Sequence, residues 1–315
     1  MKKRRLFIVS FCATLLFLAI LVAIPRPNHQ MLYRVTYLPS LGKEFFLPCS
    51  INDKGQIAGH SIVAYRSYHL FLWDREKGLQ DLGPQFDNEV YINNTGQIAA
   101  IMKDPNDHLI PSTTTLYNVS GLSLALSRAF IWDPNHGRRL LPTLGGKTAI
   151  AHGINNHGQV VGTAETASGV LHACVWNANS EIHDLTPSSK RHTQAWSIND
   201  TGQVVISARR SLLLVDANEI VTSTYTTIPV LGLLEINNNG YVAGMVQAGP
   251  GKYDIVIWHP DLGQKKLVQS YTNSLSETKI NDVNQVLLIK GRQPKVRIFG
   301  RTLFSTHVQN YLHDP

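Results

Sequence analysis

An all-β fold assembled from look-alike four-stranded units is what this sequence predicts, and three observations carry the prediction. The 315-residue chain writes Ile-Asn followed by a tight polar turn six times, beginning at Ile51, Ile92, Ile154, Ile198, Ile236 and Ile280. A tryptophan follows 22 residues after three of these copies, at Trp73, Trp176 and Trp258. No stretch beyond residue 30 shows helical apolar periodicity, whereas alternating, β-branched runs recur throughout. The copies lie 41, 62, 44, 38 and 44 residues apart, near the period of about 40–45 residues that marks propeller blades and related arrays. A six-bladed propeller is therefore the first expectation, with five or seven blades or an open solenoid as alternatives.

The first copy, Ile51-Asn52-Asp53-Lys54-Gly55-Gln56, shows the physics of one unit. An apolar residue ends a strand, and Asn opens a type I turn because its short side chain can bond the backbone ahead. Three residues later Gly supplies a left-handed φ without steric cost, as in a hairpin carrying a G1 bulge. Gly96, Gly158, Gly202 and Gly240 repeat it, and the sixth copy has Asn284, the kind of residue that tolerates that region best after glycine.

A short strand follows the turn, as in Gln56-Ile57-Ala58-Gly59 or Gln159-Val160-Val161-Gly162. The next strand carries the aromatic, as in His69-Leu70-Phe71-Leu72-Trp73 and Arg128-Ala129-Phe130-Ile131-Trp132. A polar turn then leads to a closing strand such as Leu79-Gln80-Asp81-Leu82. Four short strands cannot bury their own faces, so neighbouring units must stack.

These motifs resemble the HAF-repeat family, named for a His-Ala-Phe run that His69-Leu70-Phe71, Arg128-Ala129-Phe130 and His172-Ala173-Cys174 approximate. The resemblance covers roughly residues 33–300 and weakens in the fourth and sixth copies, which lack the Trp. It implies an extracytoplasmic bacterial protein with propeller-like β structure and no general activity. The Trp-Asp pairs also suggest WD repeats, but Gly59-His60 is the sole Gly-His pair and lies too close to Trp73; that family is rejected.

Three segments are expected: residues 1–24 as a signal-anchor or transmembrane segment, 25–32 as a linker, and 33–315 as the repeat domain. Lys2, Lys3, Arg4 and Arg5 precede nineteen uncharged residues, 6–24, about the minimum for a membrane-spanning helix. No clean small-x-small cleavage site follows, so an uncleaved anchor is favoured over a cleaved signal peptide. The basic cluster stays cytoplasmic and the repeats cross, by the positive-inside rule. Cleavage would instead leave a secreted or periplasmic protein.

Of the formal net charge of +7, those four basic residues supply four, leaving +3 for the exported part. That is close to neutral, so nucleic-acid binding is not expected. Lys290, Arg292, Lys295, Arg297 and Arg301 form a local basic run, read as a charge-protected edge strand, with a contact to lipid headgroups or an acidic partner as the alternative. Among the cysteines, Cys174 reads as a core residue and Cys49 as buried by alternation; with both on different units, no bridge is expected.

Residues 33–38 resemble a closing strand and are expected to complete the last unit and shut the ring. From Ile92 to Trp132 is 40 residues, so about 18 residues are inserted between Lys103 and Ser127, a loop that could face a partner.

No catalytic constellation emerges. Gly145-Gly146-Lys147-Thr148 imitates a phosphate loop, but position 141 is Leu and a strand should follow, not a helix. Gly59-His60-Ser61 lacks the second glycine of a nucleophile elbow. The thirteen histidines show no metal-ligand spacing; His69 and His172 share one repeat position and are expected to bond backbone or cap a strand. No cofactor or metal ion is expected.

The strand ending at each Ile should line the ring's centre. Alternation places Cys49, Val90, His152, Trp196, Leu234 and Thr278 between blades and turns Ser50, Tyr91, Gly153, Ser197, Glu235 and Lys279 toward a channel. Tyr91, Glu235 and Lys279 are the binding candidates, although Glu235 and Lys279 should pair with each other or with solvent. The expected function is binding or scaffolding outside the cytoplasm, with a protein or glycan partner at the rim or the inserted loop. The competing readings are a glycan- or cell-wall-directed enzyme or lectin using the channel, and a purely structural envelope protein. The enzyme would need two placed carboxylates, with Glu89 or Glu277 beside Glu235.

Overall fold

A computed structural model of the chain describes residue 41 and residues 46–64, 67–85, 89–103, 127–208, 211–216, 222–225, 234–250, 252–271, 275–282, 284, 286–290, 297–299 and 308–310. All of them belong to one compact unit, Pro39–Pro315. The apolar segment 6–24, the linker 25–32, the segment 33–38 and the insertion 104–126 lie outside the described residues.

Among the described residues the secondary structure is all β, in six four-stranded antiparallel sheets with strands in simple sequential order. The first sheet runs Phe46–Ile51, Ile57–Ala64, Ser67–Asp74 and Gly78–Gln85. The other five open with Val90–Ile92, Gly145–Ile154, Thr193–Ile198, Glu235–Ile236 and Leu275–Ile280. Each opening strand ends at a repeated Ile, and Ile51↔Ile57, Ile92↔Ile98, Ile154↔Val160, Ile198↔Val204, Ile236↔Val242 and Ile280↔Val286 pair identically.

The turn chemistry follows the residues. The left-handed φ lies at 75° for Gly55, 85° for Gly96, 74° for Gly158, 86° for Gly202, 78° for Gly240 and 59° for Asn284. Trp73, Trp132, Trp176 and Trp258 share one register, opposite Ile57, Ile98, Val160 and Val242. In the two copies without tryptophan, Val215 and Phe299 take that place opposite Val204 and Val286.

Burial explains why the sheets need one another. Each of five apolar clusters draws on two consecutive sheets: Leu70 with Ile98, Ile131 with Trp176, Val175 with Ile206, Leu214 with Trp258, and Ile257 with Val286. Cys174, at 0% exposure, belongs to the second, and burial, then the nearby Asp184 charge, pushes its thiol pKa well up. Cys49 and Cys174 are free thiols.

Val308–Asn310 pairs with Arg297–Phe299 as the fourth strand of the sixth sheet, while residues 33–38, expected to complete that unit, lie outside the described residues. A three-residue strand is too short to reveal itself by alternation. Lys290 and Arg297 of the basic run lie in strands of this sheet.

Candidate functional site

The first strands of all six sheets surround one cavity of about 750 Å³, and Ser50, Tyr91, Gly153, Ser197, Glu235 and Lys279 all line it. Each immediately precedes its Ile, so one local rule, alternation along the opening strand, delivers all six to the same wall. The two serines are committed to the scaffold: Ser50 Oγ accepts from Ile92 N and Ser197 Oγ from Ile236 N, both at 3.3 Å. Each bond joins two first strands laterally.

The remaining polar side chains meet across the cavity. Lys279 Nζ lies 3.3 Å from Glu235 Oε2 and 5.4 Å from the centre of the Tyr91 ring. Three sheets, the second, fifth and sixth, thus contribute one residue each to a single polar contact. At 33% and 28% side-chain exposure, an ion pair of this kind contributes at most about 1 kcal/mol. It can open for a ligand at little cost.

The opening strand is bulged at the same place in three sheets. The register slips around Cys49 in the first sheet and around His152 in the third, as it does around Trp196 in the fourth. A β-bulge adds one residue and re-aims side chains. Cys49 and His152 border the cavity and also pack between sheets as alternation expects, Cys49 against the cluster of the first and second sheets and His152, 2% exposed, between Glu89 and Trp196. Val90 and Leu234 are buried in apolar clusters, and Trp196 packs against the cluster holding Leu234.

His152 is a buried residue of the cavity's wall whose contacts alternation alone does not specify. Its Nδ1 lies 2.7 Å from Glu89 Oε2, its ring stacks on Trp196 at 5.4 Å, and its buried Nε2 makes no hydrogen bond among the described residues. The ionised carboxylate can only accept, so Nδ1 carries the proton. Cys49 Sγ lies 3.6 Å from His60 Nδ1, and burial holds the His60 pKa below its ordinary value. The His152 contacts bring together residues of the second, third and fourth repeats, whereas Cys49 and His60 lie on neighbouring strands of the first sheet.

Glu235 lines the cavity, Glu89 is engaged with His152, and the Glu277 side chain lies outside the described residues. The described residues therefore assemble no carboxylate pair of the kind glycoside hydrolysis uses. Gly145–Ile154 is a strand, with Lys147 N and Thr148 N donating to Glu165 Oε2, so its glycines form no phosphate loop. His69 and His172 face Asp81 at 2.9 Å and Asp184 at 2.7 Å on the fourth strand, and His172 Nε2 also meets the Ser189 backbone carbonyl at 2.9 Å, a backbone bond of the expected kind. The fifth sheet reverses the pair as Asp254–Lys266 at 2.6 Å, a repeated cross-strand couple.

No protein-family model matches the sequence, and no curated protein sequence matches it. The structure is similar to TolB from Acinetobacter baumannii, with TM-score 0.51 and 12% identity over 78% of this chain and 60% of that one. It is similar to virginiamycin B lyase from Staphylococcus aureus, with TM-score 0.53 and 7% identity over 84% and 83%. It is also similar to a chain of a mitotic checkpoint complex, with TM-score 0.53 and 13% identity over 90% and 88%. The chain spans less than two thirds of the TolB chain. At these identities the likeness is one of fold, and the fold is propeller-like.

Proposed function

We propose that the chain is a six-bladed β-propeller of the HAF-repeat type, held by a membrane anchor at residues 6–24 with its repeats outside the cytoplasm, and that it works as a binding or scaffolding module. The observation that carries this reading is the convergence of all six first strands on one cavity, while apolar clusters join consecutive sheets into a stiff body. Such a body offers a central pocket and rigid rims whose loops can vary without disturbing the core. A similar fold in a mitotic checkpoint complex supports a protein partner, engaged at the rim or through residues 104–126. The basic N-terminus followed by the uncharged run 6–24 supports the orientation.

Affinity capture from solubilised membranes tests the module, comparing the full chain with one lacking residues 104–126. Specific partners retained by the full chain support it, and their loss on deletion locates the contact in the insertion. A partner set no different from that of an unrelated membrane bait refutes it. Protease applied to intact and permeabilised cells tests the topology, and digestion of the repeats from the cytoplasmic side refutes the orientation.

A further inference from the structure

We infer that the central cavity takes an uncharged, polyhydroxylated ligand, a neutral sugar, held between Tyr91, Glu235 and Lys279. This rests on the binding-module reading and names what one of its surfaces would bind.

The internal repeat supplies the first ground. All six copies carry Ile and Asn at the end of the first strand, yet the residue just before them is Ser, Tyr, Gly, Ser, Glu or Lys. The fold therefore demands the pair and leaves the cavity-facing position open. Ser50 and Ser197 join neighbouring strands, and Tyr91, Glu235 and Lys279 are the larger polar side chains at that position.

Charge supplies the second ground. Lys279 and Glu235 place a cation and an anion 3.3 Å apart. An anionic ligand drawn to the ammonium meets the carboxylate beside it, and a cationic ligand meets the ammonium. A wholly apolar ligand strips water from both and returns nothing. Neighbouring hydroxyls of a sugar satisfy both at once, donating to Glu235 Oε2 and accepting from Lys279 Nζ.

The walls supply the third. Ile51, Ile57, Ile92, Ile154, Ile198 and Ile280 line the same cavity, apolar surface suited to the C–H faces of a sugar ring, and Tyr91 adds an aromatic one. The volume of about 750 Å³ falls in the range of small-molecule sites.

Calorimetric titration of the full-length chain tests the inference, in a detergent whose headgroup is not a sugar. The probes are glucose, N-acetylglucosamine, glucuronate and glucosamine. At least one neutral sugar should bind saturably, with both charged sugars weaker by about tenfold or more. Lys279→Met and Tyr91→Ala should each weaken the neutral sugar by about tenfold, while thermal unfolding shows that both variants remain folded. Tighter binding of glucuronate or glucosamine overturns the ligand class. Neutral binding unchanged in both folded variants overturns the site. No binding of any probe overturns the inference alone, because partner capture judges the binding module independently.

Discussion

Asn93 Nδ2 donates to the backbone carbonyl of Asn155 at 2.9 Å, reaching across 62 residues from the second sheet to the third. The same bond links Asn52 to Asn93, Asn155 to Asn199, Asn199 to Asn237 and Asn237 to Asn281, at 2.8–3.1 Å. Each amide also serves its own turn: Asn155 Oδ1 accepts from His157 N and Gln159 N. One residue type thus closes the local hairpin and ties it to the next sheet. The following residue adds a second strap, as in Asn94 N to Asn156 Oδ1 and Asn156 N to Asp200 Oδ1, both at 2.8 Å.

Asn155 is 3% exposed, so truncation should leave buried groups unpaired. Asn155→Ala should cost about 1–3 kcal/mol in urea unfolding. Asn155→Asp keeps the turn acceptor but sets a charge against the Asn199 carbonyl, and should cost at least as much. An aspartate variant as stable as the native chain would contradict the inter-sheet role.

Asn284 holds a φ of 59° and accepts from Asn237 Nδ2 at 2.7 Å. Asn284→Gly relieves backbone strain while losing that acceptor, so the two effects should nearly cancel. Asn284→Ala loses the acceptor and keeps the strain, and should lower stability by about 1–2 kcal/mol. The order Gly above Ala in melting temperature is the measurement.

Arg138 ties the second sheet to the first. Its guanidinium donates to Pro84 O at 2.7 Å and Leu82 O at 2.8 Å and lies 4.2 Å from the Phe130 ring centre. A lysine cannot reproduce that planar fork. Arg138→Lys should therefore destabilise by about 1–2 kcal/mol, detectable as a lower urea midpoint at unchanged slope.

Burial opposes the charge on Asp133, but hydrogen bonds from Gln97, Asn135 and His136 outweigh it and bring its pKa to about 2. Asp74 is lowered in the same way, first by Gln56. A carboxyl whose folded pKa is depressed contributes stability that is complete above its unfolded value and lost as pH falls through the folded one. Melting temperature should thus drop between about pH 4 and pH 2, and Asp133→Asn should flatten part of that slope. An identical acid limb in the variant would refute the assignment.

The failures of the sequence reading are as physical as its successes. Gly55, Gly96 and Asn284 were legible because a left-handed turn constrains the residue that occupies it. Tyr91, Glu235 and Lys279 were legible as cavity-facing because alternation is a property of one strand. The bulges at Cys49 and His152 were not legible, because a bulge depends on register with the partner strand, where Gly162 sits so close to the Ile150 carbonyl that any side chain would collide with it.

By itself the sequence determined the repeat, its turns and six of the residues that line the cavity, one from each opening strand, since each follows from neighbours a few positions away. Tertiary structure alone decided that Lys279 meets Glu235 and Tyr91, that Glu89 holds His152, and that Val308–Asn310 completes the last sheet. Those outcomes depend on which sheets stand beside or opposite one another, and on lateral register. Both are set by packing between units distant in the chain, where no local rule of side-chain pattern reaches.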